Sequence, residues 1–116
     1  MKKFLAVYTG TEAAMVEWNK LSEEQRKKRE SEGMQAWMDW GTMHAAAIVD
    51  QGSPLGKTKR VGKDGITDIR NNIAGYVVVQ AESHEAAAKL FERHPHFSIF
   101  PGDAAEVMEL LPIPAR

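Results

Sequence analysis

Apolar residues recur along this chain in two rhythms. From Lys3 to Tyr8 (KFLAVY) they follow a period of two. Phe4, Ala6 and Tyr8 fall on one side and Leu5 and Val7 on the other, which predicts a central strand covered on both faces. Ile73–Ala81 (IAGYVVVQA), β-branched and aromatic, predicts a second such strand. Ala46–Asp50 and Ala105–Leu111 predict two more, the last ended by Pro112 and Pro114. The helical rhythm starts at Thr11, which opens a short stretch (EAAMVEWNKL). Ser22-Glu23-Glu24-Gln25 is a capping box, and it predicts a helix from Glu23 to about Ala45. The first half of that helix is charged. From Met34 onward it carries two apolar stripes, Met34-Trp37-Met38-Gly41-Ala45 and Ala36-Trp40-Met43-Ala47. One buried face needs one stripe, so the second implies either a wide core face or contact with a partner, a loop or a pocket. Ser83 caps a further helix, His84–Arg93, with Ala86, Ala87, Leu90 and Phe91 on its apolar side and Pro95 to stop it. His94–Gly102 reads as an aromatic, proline-rich loop. Gln51–Gly56 reads as a turn. Lys57–Val61 and Ile66–Ile69 flank Asp64-Gly65 and predict an exposed hairpin, one arm of which extends the second strand.

Reduced to its main elements the order is βαββαβ, the ferredoxin-like arrangement of an α+β domain spanning residues 1–116. Two helices cover one face of such a sheet. The strands are apolar on both faces, and no third long helix remains to cover the other. A second copy of the chain, packed sheet against sheet about a two-fold axis, is the economical cover.

Composition narrows the chemistry. The chain has 116 residues, a net charge of −1 and no cysteine, which excludes disulfides, thiolate catalysis and thiolate metal sites. The charge gives no pull toward nucleic acid or an anionic membrane. No signal peptide is visible, and no apolar run nears the ~20 residues of a membrane helix, so a cytoplasmic protein is expected. Arg26-Lys27-Lys28-Arg29 sits among glutamates and reads as a solvated helix face. The glycines from Gly52 to Gly56 lack phosphate-loop spacing.

Several stretches resemble the YCII-related, or DGPF-domain, family. They are Gly52-Ser53-Pro54-Leu55-Gly56, Asp64-Gly65-Ile66-Thr67-Asp68, GYVVVQAESHEAAAKLFERHPHF from Gly75, and Glu106-Val107-Met108-Glu109-Leu110. In the namesake motif Asp64-Gly65 are kept and Ile66-Thr67 stand where Pro-Phe is usual. The resemblance implies a homodimeric α/β-barrel, two ferredoxin-like sheets face to face with a cavity on each half. One branch of the family carries a histidine midway along the long helix and an aspartate just before the proline after the second helix, a pair suggestive of acid–base chemistry. By the resemblance Gln35 takes the histidine's place and His94 the aspartate's, so the dyad is not kept as such.

His94 and His96 are the candidate proton-transfer groups, because imidazole titrates near neutrality. A histidine closing a helix also caps carbonyls, which is the structural alternative. Asp39, between Trp37-Met38 and Trp40, is a candidate partner for His94 unless its carboxylate reaches solvent at the helix margin. Trp37, Trp40, Tyr76 and Gln35 are candidate ligand-binding residues; aromatic residues in such places more often serve the core or a dimer interface. His-x-His with no fixed third ligand is a weak metal signal, so neither a metal nor a cofactor is expected. Two functions remain open. One is an enzyme moving a proton on a small aromatic or carbonyl-bearing metabolite, and the other is a non-catalytic ligand-binding or accessory homodimer. The pocket around His94 separates them.

Overall fold

The computed structural model describes residues 1–115. Strands β1 (Lys2–Gly10), β2 (Ile48–Pro54), β5 (Ile73–Ala81) and β6 (Gly102–Glu109) form an antiparallel sheet in the order β2-β5-β1-β6. Helices α1 (Glu12–Asn19) and α2 (Glu23–Met43) follow β1, and α3 (His84–Lys89) and α4 (Pro95–Ser98) follow β5. This is the expected α+β, ferredoxin-like order. The two apolar strands lie at its centre, with Phe4 opposite Val79, Ala6 opposite Val77 and Leu5 opposite Val78.

One sheet face holds the core. Phe4, Ala6, Tyr8, Val77, Val79 and Ala81 point toward Trp40 of α2, Ala87 of α3 and Phe91 just beyond it. The alternate residues form the other face. There Leu5 lies between Val78 and Met108, and Val7 lies between Tyr76 and Glu106. Val7 is buried, Tyr76 and Val78 are half-buried, and Met108 is exposed.

Helix α2 starts at the capping box: Ser22 Oγ accepts from Gln25 N–H and the Gln25 side chain accepts from Ser22 N–H. It ends at Met43, with His44 as C-cap. Its contact line is narrower than two stripes. Gly33 and Trp40 are buried and Trp37 half-buried, while Met34, Met38 and Met43 are exposed. Gly33 lets the Phe100 ring lie against the helix backbone; a Cβ there would stand 2.5 Å from that ring.

Strand β6 starts at Gly102 and ends at Glu109, earlier at both ends than the expected Ala105–Leu111, and three further places differ from expectation. Strand β2 runs through the predicted turn to Pro54, because Asp50 Oδ1 accepts from Gly52 N–H and Gly52, at φ 66°, forms a bulge that keeps the ladder with Tyr76 and Gly75. The hairpin β3 (Thr58–Gly62) and β4 (Gly65–Ile69) is exposed as expected but forms its own two-stranded sheet and does not extend β2. Helix α3 stops at Lys89, Arg93 turns left-handed at φ 58°, and α4 forms within the predicted loop.

Candidate functional site

The site grows from three elements around one buried histidine. Strand β1 brings Tyr8 to the end of the core face. Helix α2 brings Trp37 and Trp40, one turn apart. The left-handed turn at Arg93 reverses the chain so that His94 enters the core as N-cap of α4, followed by Pro95 at its first turn. His94 is fully buried. Its ring centroid lies 4.5 Å from Trp37 and 4.7 Å from Trp40, both edge-on. It lies 5.0 Å from Tyr8 and 5.9 Å from Phe91.

Hydrogen bonds fix the tautomer. His94 Nδ1 accepts from His96 N–H at 3.0 Å, so the neutral ring carries its proton on Nε2. That N–H points at Tyr8 Oη, 3.3 Å away. The phenol oxygen therefore accepts from His94, and its own proton remains to be given. Among the described residues His94 is the one hydrogen-bond partner of Tyr8 Oη. His96, also buried, donates from Nε2 to the Thr9 carbonyl at 2.7 Å, which ties α4 to the end of β1. Gly102 passes against the His96 ring with no room for a Cβ.

Burial sets the proton affinities. Burial, then the nearby charges of His96 and His44 when protonated, pushes the His94 pKa down to about 3. Burial pushes the Tyr8 phenol above the usual tyrosine range. Near neutral pH both groups are uncharged, and the pair is a donor chain from His96 N–H through His94 to Tyr8.

The sequence candidates separate in space. His94, His96, Trp37 and Trp40 come together. Asp39 does not join them: it is exposed on α2 and accepts from Gln35 Nε2 at 3.0 Å. Among the described residues no hydrogen bond or ion pair joins Asp39 to a histidine. Tyr76 alternates with the core residues Val77 and Gly75 and so lies on the opposite face of the sheet from His94. Tyr8 and Phe91 join the site although the sequence pattern marks them only as core residues; a tyrosine on a core face needs a partner for its hydroxyl, and that is the legible signal. Among the described residues no three His, Asp or Glu side chains gather as a metal site. No described helix is long and apolar enough to cross a membrane.

Strand order, register and the two-layer arrangement define an α+β protein of ferredoxin-like topology. No protein-family model matches the chain, and no curated protein matches it. Among solved structures it is similar to 5-chloro-2-hydroxyhydroquinone dehydrochlorinase (TftG) from Burkholderia phenoliruptrix AC1100, in complex with 2,5-dihydroxybenzoquinone. The TM-score is 0.53 at 15% identity, over 96% of this chain and 94% of that one. At that identity the likeness establishes the shared fold.

Proposed function

We propose that this protein is a homodimeric enzyme of YCII-like type, one domain per chain, that moves a proton on a small oxygen-bearing ring compound at the Tyr8–His94 pair. The hydrogen bond between these two buried titratable groups carries the reading. A neutral imidazole that donates to a phenol orients it and leaves its O–H directed elsewhere, as a neutral donor to a substrate oxygen requires. Trp37, half-buried and edge-on to His94, is the aromatic residue of this cluster nearest the surface, and a flat ring is proposed to approach over it. The likeness over nearly the whole chain to an enzyme solved with a dihydroxybenzoquinone supports this substrate class. Homodimer formation rests on the partly uncovered face around Leu5, Val78 and Met108.

A second reading, a non-catalytic ligand-binding or accessory dimer, is favoured by one observation. Both ring nitrogens of His94 are already engaged within the protein and the ring has no exposed surface. Titration with 2,5-dihydroxybenzoquinone in heavy water separates the two. The enzyme predicts saturable quenching of tryptophan fluorescence and accelerated exchange of the ring hydrogens, with exchange lost in Tyr8→Phe. Saturable quenching with exchange at the solvent rate selects the accessory dimer, and absence of both removes the ring-compound substrate.

A further inference from the structure

Residues 57–70 form an arm. Strands β3 and β4 pair with each other and join no other strand. Val61 and Ile66 stand directly opposite each other near the tip, 75% and 68% exposed. A lone two-stranded hairpin is marginally stable in water, and an apolar cross-strand pair facing solvent adds little until it is covered. The hairpin is basic: Lys59 is paired with Asp68 at 2.7 Å, which leaves Lys57, Arg60, Lys63 and Arg70 against Asp64.

The complementary surface lies on the same chain. Met34 and Met38, one turn apart on α2, are 58% and 63% exposed. They share a shallow depression with Glu32, Gln35 and Asp39. One surface is an apolar pair bordered by bases, and the other is an apolar pair bordered by acids. Both are uncovered within one chain. A two-fold pair of chains satisfies both arms and both flanks at once, because under that symmetry the contact of arm with flank occurs twice. Methionine adapts its shape to such a contact.

We propose that the β3–β4 arm of each copy lies across the Met34–Met38 flank of α2 on its partner. The inference rests on the homodimer reading above and adds to it a defined contact outside the sheet face.

The absence of cysteine makes the test clean. Val61→Cys and Met38→Cys are made as separate variants, mixed, and treated with a short bismaleimide. The expected product is a mixed cross-linked dimer whose digest joins the peptides containing positions 61 and 38. In parallel, Val61→Asp with Ile66→Asp is expected to raise the dimer dissociation constant by roughly tenfold or more in sedimentation, with the circular dichroism of the fold retained. A wild-type dimer that gives no such cross-link, and whose dissociation constant the aspartates leave unchanged, overturns the arm contact and leaves the dimer standing. A monomeric wild type overturns the dimer reading, and the arm contact with it.

Discussion

Tyr8 Oη lies 3.3 Å from His94 Nε2, and the opposite nitrogen of that ring is held by the His96 amide at 3.0 Å. The sequence separates Tyr8 and His94 by 86 positions, and the fold joins them by turning the chain at Arg93. One backbone amide thus decides which way a buried imidazole donates, and thereby which group presents a proton.

The first prediction concerns acid. His94 in the folded chain binds a proton only near pH 3, against 6.5 when unfolded. Between those values the unfolded chain binds more protons, so stability is full above pH 6.5 and falls as the pH drops toward about 3. The slope contributed by this one group approaches about 1.4 kcal/mol per pH unit. Urea unfolding at a series of pH values checks it, with His94→Asn expected to flatten the slope. Nitrogen-15 spectra of His94 should show the Nε2–H tautomer unchanged from pH 8 to pH 5.

Removing the phenol oxygen leaves a buried N–H without an acceptor. Tyr8→Phe keeps the ring packed against Trp37 and Phe91 but orphans His94 Nε2–H. We expect a loss of ~1–3 kcal/mol in denaturant unfolding. An unchanged stability would mean that the bond is not formed in solution.

Gly52→Ala tests the bulge. Gly52 has φ 66°, and a Cβ there would overlap the Tyr76 carbonyl oxygen. Both the backbone strain and the overlap oppose alanine, so a loss of ~2 kcal/mol or more is expected in thermal unfolding. Gly10→Ala, where a Cβ meets open space, serves as the control and should change little.

Much of this was legible in the sequence, for reasons that differ by element. The capping box at Ser22 and the hairpin at Asp64-Gly65 are local devices, and each forms where its residues stand. Strands β1 and β5 are apolar enough to declare their central place. The bulge at Gly52 is hidden because Gln51–Gly56 has turn composition, and it takes the Asp50 side-chain bond and the positive φ of Gly52 to return the chain to the ladder. The α2 stripes overstated burial, since Met34 and Met38 match the helical period yet face outward. His94 and His96 were visible as a pair, but their orientation depends on a left-handed Arg93, a conformation that the residue type disfavours. Tyr8 shows in the sequence only as one residue of a core face, because alternation reports side and not partner.

Trp37 should separate recognition from folding. It is half-buried while Trp40 is buried and donates Nε1–H to the Leu90 carbonyl at 2.8 Å. Trp40→Phe orphans that carbonyl and is expected to cost ~1–3 kcal/mol. Trp37→Phe is expected to cost less in denaturant unfolding, yet to weaken ring-compound binding by roughly tenfold in isothermal titration.

The most direct test of the central claim is a thermal-shift screen of hydroxylated ring compounds, run on the wild type and Tyr8→Phe side by side. A ligand at a hundred times its dissociation constant stabilises the fold by about 2.7 kcal/mol, a rise of several degrees for a domain of this size. The account predicts at least one compound that raises the melting temperature of the wild type and leaves Tyr8→Phe unmoved. Compounds that shift both proteins equally, or a full set that shifts neither, would contradict a ligand-facing Tyr8–His94 pair.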